Sequence, residues 1–375
     1  MPVTAKGLEG IVANSTSISD VQGAEGKLIY AGYDINELAG KVSYEEVIYL
    51  LWHGLLPNRK QLDELTLSLR SQRELPKEVI NFLLNAPKNA GPMDVIRTAV
   101  SMLGLYDPAI ADDQSPEQNR LRATNITAKI GVIAAYFHRA RQGKSLPPIR
   151  KDLGEAAHFL YLANDEEPSQ QAVDTLDVAY VLHADHGMNA STFSARVTIA
   201  TLSDMYSAIT SAIGTLKGPL HGGANEGVIH MLVEIGSEDK VDAWVENALA
   251  QKKKIMGIGH RVYKVLDPRA PHLREMAIKL SQQLGEPKWI RMSERIAAIM
   301  KERKGLNANV DFYSATVYYS LGIPTDLFTP VFAIARCSGW TAHVLEQLVD
   351  NRLYRPLSEY IGPAVGKKVV PIDQR

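Results

Sequence analysis

The sequence predicts an all-α protein. Three observations carry that expectation: apolar residues recur at helical spacing in segment after segment, strand-like runs are few and short, and no repeat period is evident. The chain has 375 residues. Single cores stop growing near ~250–300 residues, so two domains are expected.

Residues 1–32 are rich in Gly, Ser, Thr and Asp, and Lys27-Leu28-Ile29-Tyr30 suits a small hairpin. Ser43-Tyr44-Glu45-Glu46 reads as a capping box ahead of Val47, Leu50 and Leu51, with Pro57 closing the helix. Leu62, Leu65 and Leu69 mark a helix over 61–73. Met93, Ile96, Val100 and Leu103 mark another that opens at Pro92. Residues 107–119 are polar and read as a loop or a new helix start. Helices follow over 126–141, 152–162 and 169–182. Phe193, Val197, Met205, Ile209 and Ile213 keep helical spacing until Gly218-Pro219 stops the run. Val228, Ile229, Leu232 and Val233 make a short apolar face beyond it. Residues 238–304 hold three helices, the later two stopped by Gly285 and Gly305. A helix from near Asp311 ends at Gly322-Ile323-Pro324, and 325–353 is helical with an interruption at Pro330.

Composition excludes several classes. Hydrophobic residues make up 45% and charged residues 22%, as in ordinary globular proteins. The net charge of -1 gives no global field for nucleic acid or membrane. Cys337 is the single cysteine, so no intramolecular disulfide forms and a reducing, cytoplasmic setting is expected. The stretch from Met1 to Gly7 has no apolar leader character, and no apolar run is long enough to span a bilayer.

Four clusters carry chemistry. In Gly218-Pro219-Leu220-His221-Gly222-Gly223, His221 falls just before a helix start. The positive end of a helix disfavours imidazolium, so a neutral His221 could donate to a developing oxyanion. Alone, it reads rather as a loop histidine between two helices. His183 and His186 would share a face if both lay on a helix. A zinc site would need a third ligand and an H-E-x-x-H partner, so no metal is expected. Gly257-x-Gly259 lacks the third glycine of a dinucleotide fingerprint, because Val262 stands there. Lys252, Lys253, Lys254, Arg261, Lys264 and Arg269 surround it and suit a phosphorylated or carboxylated ligand, or else form a solvated loop. Asn309-Val310-Asp311 precedes Arg336 and Arg355. A carboxylate at a helix start is more often a cap than a base, but converging arginines would mark a di- or tricarboxylate site. Gly143-Lys144-Ser145 ends like a P-loop, yet His138 occupies the first glycine position.

Taken together, His-Ala-Asp-His at 183–186, Gly-Pro-Leu-His-Gly-Gly-Ala-Asn at 218–225, Gly-x-Gly-His at 257–260, Asp-Pro-Arg at 267–269, Asn-Val-Asp at 309–311 and Ala-Arg-x-x-Gly-Trp-x-x-His at 335–343 resemble the citrate synthase family. The resemblance runs from Gly26 to Pro356 and fits the shorter bacterial and archaeal form. It implies a two-domain helical fold, with a large domain of 1–221 and 323–375 and a small mobile domain of 222–322. It implies condensation of acetyl-CoA with oxaloacetate and water to citrate, a step of the tricarboxylic acid cycle, with acetyl-CoA as co-substrate and no permanently bound cofactor. His221 would stabilise the enol, Asp311 would remove the methyl proton, and His260 would polarise the oxaloacetate carbonyl. His186, Arg269 and Arg336 would hold the dicarboxylate. Arg355 would reach the neighbouring subunit's site in a homodimer. Lys264, Gly257 and Gly259 would belong to the CoA segment. Departures from the family pattern are Ala31, Gly91, Ala308 and Cys337, at positions often held by arginine, histidine, proline and threonine. Rival readings are a 2-methylcitrate synthase using propionyl-CoA and a catalytically silent CoA-binding paralogue.

Overall fold

The structure, a computed structural model, describes residues 6–110, 112–260 and 262–375. Residues 1–5 of the N-terminal stretch, Ala111, and Arg261 of the basic run lie outside the described residues. The described chain is helical apart from one three-stranded antiparallel sheet of Ser19–Gln22, Lys27–Tyr30 and Tyr33–Asp34, in which Ser19 faces Tyr30.

Local chemistry sets most helix ends. Ser43 and Glu46 form both bonds of the expected capping box. The helix Tyr44–His53 then stops at Gly54, which takes φ 75, and not at Pro57. Asn58 and Gln61 cap the helix Arg59–Ser71 in the same reciprocal way. The helix Lys77–Asn85 was not anticipated, because only Val79 and Leu83 mark its buried face. Pro92–Leu103 lies where its pattern placed it. The polar stretch before residue 120 resolves into a start: Ser115 caps a 26-residue helix, Pro116–Arg141. The apolar run over 193–213 is two helices, Ala190–Ile199 and Met205–Leu216, separated by Leu202 at φ 62 and recapped by Asp204. Pro330 interrupts nothing. It lies in the first turn of Phe328–Val349, where its missing N–H has no acceptor within the helix.

The helix Phe328–Val349 is the axis of the fold. It packs against Tyr44–His53, Pro116–Arg141, Gln170–His183, Ala190–Ile199 and Met205–Leu216, and Trp340 on it is fully buried. The helices Ala224–Ile235, Val241–Ala250, Ala270–Gln283, Lys288–Lys304 and Val310–Ser320 pack chiefly on one another. The first and last of these also touch Phe328–Val349 and Gln170–His183 respectively, so the seam between the two groups runs past His183, His221 and Asp311. Among the described residues no helix is long and apolar enough to cross a membrane.

A buried carboxylate group lies in the first helical group, away from that seam. Arg73 pairs with Glu155 at 2.6 Å, and the Glu155 N–H donates to Glu45 at 2.8 Å. Among the described residues, Asp177 receives only the Tyr44 N–H, at 3.1 and 3.2 Å to its two oxygens. Burial first, and the Glu45 charge second, push Asp177 up to about 8. A raised carboxyl keeps its proton when folded, so its share of stability is full below the ordinary carboxylate range and is lost as pH climbs towards 8. Asp177→Asn is therefore expected to melt above the parent protein at pH ~9, with the gap narrowing by pH ~5. Equal melting differences at both pH values in scanning calorimetry would rule out a proton held there.

Candidate active site

The helix Gln170–His183 ends before the second histidine of its motif, so His183 and His186 do not share a helical face. His183 is fully buried, with Nδ1 against the Ala179 carbonyl at 2.7 Å and its ring edge-on to Phe332 at 5.0 Å. It is a core histidine, pushed down to about 3 by burial and then by Arg269. His186 leaves the helix and turns into the seam, where Nε2 meets the Tyr263 hydroxyl at 3.1 Å. Asp185 anchors this turn. It accepts from the Gly187 N–H at 3.0 Å and from Ser19, and faces His343 Nε2 at 3.3 Å. The Tyr30 hydroxyl clasps the same residue, donating to its carbonyl at 2.8 Å and accepting from its N–H at 3.1 Å. Gly339 makes this approach feasible, because a Cβ there would lie 2.3 Å from the Ala184 carbonyl oxygen.

His260 lies with its ring 5.5 Å from that of His186. Its Nδ1 accepts the backbone N–H of Val262 at 3.0 Å and of Tyr263 at 3.1 Å. A backbone N–H can only donate, so the hydrogen of a neutral His260 resides on Nε2. Burial, then the charges of Arg269 and Lys264, push His260 down to about 4. The residue is thus a neutral donor at physiological pH.

Gly257 and Gly259 take φ 73 and 80, conformations that cost a side chain strain. They form no strand-to-helix phosphate turn. Instead, Asn309 N–H donates to the Gly257 carbonyl at 2.9 Å, Gly259 N–H to Asn307 at 2.8 Å, and Asn309 Nδ2 to the Gly259 carbonyl at 2.8 Å. This strap fixes the glycine segment to the start of the helix carrying Asp311. Lys264 lies beside the N-terminal sheet, its N–H donating to the Gly23 carbonyl at 3.0 Å.

Asn309, not Asp311, caps the helix Val310–Ser320, accepting the Asp311 N–H at 3.0 Å. The Asp311 carboxylate is therefore spared from capping. Burial outweighs the attraction of Arg269 and raises it to about 6. Asp267 grips Arg269 with both oxygens, at 3.0 and 2.9 Å, and also accepts the Val310 N–H at 3.1 Å. Arg336 donates Nε to the His183 carbonyl at 2.6 Å and stacks over Phe332 at 4.7 Å. Burial lowers it to about 10, still charged at neutral pH.

His221 sits three residues ahead of the helix Ala224–Ile235, in a loop closed by its own N–H to Gly218 at 2.9 Å. Its Nε2 meets the Ser191 N–H at 3.3 Å and the Ser191 hydroxyl at 2.8 Å. Burial, then Arg336, lower it to about 4. Neutral His221 thus turns Nε2 towards Ser191, and no described residue hydrogen-bonds its Nδ1.

The structure gathers His186, His260, Arg269, Arg336, Asp311 and His221 along one seam, coupled electrically through the two arginines. It does not bring Arg355 there. Arg355 is exposed, its guanidinium donates to the Pro356 carbonyl at 3.2 Å, and it lines a separate cavity of about 710 Å³ with Ala13 to Ser17, Arg196 and Tyr354. A single chain places the tail away from the seam. Ser191, Tyr263 and Asp267 received no role from the sequence, although each orients a site residue. Asp267 lies in the Asp-Pro-Arg motif and Tyr263 in the basic stretch around Gly257-x-Gly259. Among the described residues, no group of three or more His, Cys, Asp or Glu side chains could hold a metal.

Neutral imidazoles, a carboxylate free of capping duty and two buried guanidiniums make a set able to polarise a carbonyl and take a proton beside one. The chain belongs to the citrate synthase family, acyltransferases that form a carbon–carbon bond: the family described as citrate synthase, C-terminal domain, matches residues 7–357. Citrate synthase 2 of Bacillus subtilis is 52% identical over 371 residues, covering 99% of each chain. A 2-methylcitrate synthase of Corynebacterium glutamicum is 42% identical, covering 99% of this chain and 98% of its own. The solved citrate synthase of Thermoplasma acidophilum, in ternary complex with carboxymethyl coenzyme A and oxaloacetate, superposes with a TM-score of 0.92 at 32% identity and covers 100% of both chains.

Proposed function

We propose that the chain condenses acetyl-CoA with oxaloacetate and hydrolyses the resulting citryl-CoA, giving citrate and CoA. The observation that carries this reading is the orientation of His260, whose Nδ1 is committed to two backbone donors so that Nε2–H is left for a substrate carbonyl. His260 polarises the oxaloacetate ketone, while His186, Arg269 and Arg336 hold its carboxylates. Asp311 removes a methyl proton from the thioester, and His221 Nδ1–H receives the charge that develops on the thioester oxygen. Lys264 with the backbone at Gly257 and Gly259 seats the CoA.

Residues 222–322 form a small domain that closes on 1–221 and 323–375, excluding water until citryl-CoA has formed. A homodimer supplies Arg355 across its interface. The exposed apolar tail residues Leu357, Tyr360, Ile361, Val365 and Val369 support a partner surface beyond the single chain. The lone cysteine supports a cytoplasmic location.

Release of free CoA thiol on mixing acetyl-CoA with oxaloacetate tests the activity. Absence of release by folded protein would favour a silent CoA-binding paralogue. Parallel assays with propionyl-CoA test the chain's preference. One methylene is worth ~1–3 kcal/mol, so kcat/KM is expected to favour acetyl-CoA by about tenfold or more. The reverse order would make the chain a 2-methylcitrate synthase.

A further inference from the structure

We infer that Gly23, in the turn of the N-terminal hairpin, is a positioning residue for the reaction, bracing the peptide units whose N–H groups orient His260. The inference rests on His260 as the donor to the oxaloacetate ketone. The hairpin strands Ser19–Gln22 and Lys27–Tyr30 are rooted in the first helical group, where Leu28 and Tyr30 are fully buried. At that root Ser19 Oγ donates to Asp185 and accepts the Gly187 N–H at 3.1 Å. The turn that joins the strands, residues 23–26, meets the segment 262–266 across the seam.

Two contacts make the brace. The Lys264 N–H donates to the Gly23 carbonyl at 3.0 Å. The Val262 carbonyl approaches Gly23 so closely that a Cβ there would stand 2.4 Å from the Val262 oxygen. The backbone of Gly23 lies outside the left-handed region, so the close approach alone calls for glycine. Gly26, at the other end of the turn, is as tightly placed: a Cβ would meet Val265 Cγ2 at 2.6 Å and the Leu266 oxygen at 3.0 Å.

The link to His260 runs through one plane. The Val262 carbonyl and the Tyr263 N–H belong to a single trans peptide unit. Its oxygen lies against Gly23, and its opposite edge donates to His260 Nδ1 at 3.1 Å. A rigid plane cannot yield at one edge alone. A methyl group at residue 23 would demand about 1 Å more room at the oxygen, and a shift of the oxygen carries the N–H with it. The imidazole is anchored to that N–H, so its far nitrogen, the donor to the ketone, is displaced as well.

Gly23→Ala is expected to lower kcat about 10–100-fold while KM for oxaloacetate stays within about threefold, because His186, Arg269 and Arg336 keep their places. Glu25→Ala, on the exposed side of the same turn, is expected to leave both within about twofold. In a His260→Gln background, adding Gly23→Ala is expected to cost nothing further. Hydrogen exchange in the parent protein, which needs no variant to fold, is expected to protect the Lys264 N–H as well as the paired amides of the hairpin. A lowered melting temperature with parental kcat, an equal loss in both backgrounds, or a freely exchanging Lys264 N–H would each overturn the inference. Turnover retained by His260→Gln would instead remove the role given to His260. Parental kcat in Gly23→Ala beside an inactive His260→Gln would remove the brace alone.

Discussion

Asp311→Asn is expected to lower kcat by about 10²–10⁴-fold while oxaloacetate still binds. The substitution keeps size and the backbone cap, since Asn309 supplies the capping oxygen. What it removes is a carboxylate held at about 6 by burial, close enough to physiological pH to take a proton and give it back. In the parent protein the rate should therefore fall as pH drops through about 6. Stability moves the opposite way. A carboxyl raised on folding contributes fully below its ordinary range and loses that contribution as pH rises through about 6. Asp311→Asn is thus expected to melt higher than the parent at pH ~8, and by less at pH ~4.5. Oxaloacetate binding followed by calorimetry, beside single-turnover rates, checks the first part. Near-parental turnover would remove Asp311 from the role of base.

Arg336→Lys is expected to raise KM for oxaloacetate by about 10–100-fold, although it conserves charge. The guanidinium divides its work. Nε holds the His183 carbonyl at 2.6 Å and the plane rests on Phe332, which aims the terminal nitrogens into the seam. An ammonium can satisfy the carbonyl or the substrate, not both in that geometry. It also leaves the buried His183 carbonyl at risk of losing its donor, so some loss of melting temperature should accompany the kinetic defect. Initial-rate measurements across oxaloacetate concentrations decide the matter, with unchanged KM counting against carboxylate binding by this side chain.

The helical architecture was legible because apolar spacing survives in sequence wherever a helix is amphipathic, and because Ser43 and Pro92 announce helix starts chemically. Lys77–Asn85 escaped because two buried residues are too few to show a period. Pro330 misled because a proline in a first turn and one in a helix interior look alike without the start fixed. The same limit applied at the site. His186, His221, His260, Arg269, Asp311 and Arg336 emerged from motifs spaced along the chain. His183 and His186 would share a face only if both lay on one helix, and the end of the helix at His183 sends the two apart. Ser191 and Tyr263 left no trace, since their roles come from tertiary approach: a hydroxyl 2.8 Å from one imidazole and 3.1 Å from another.

Asp267 joins two things that chemistry needs at different moments. One carboxylate grasps the Arg269 fork and, through the same oxygen that accepts Val310 N–H, the first peptide of the helix bearing Asp311. A keto-diacid that draws the fork inward must drag that peptide with it. With Asp311 as the proposed base, its register is expected to follow the diacid's arrival, so that the diacid loads before the thioester. Product-inhibition patterns from steady-state kinetics are expected to be those of an ordered mechanism, and a random pattern would show that the tether transmits nothing.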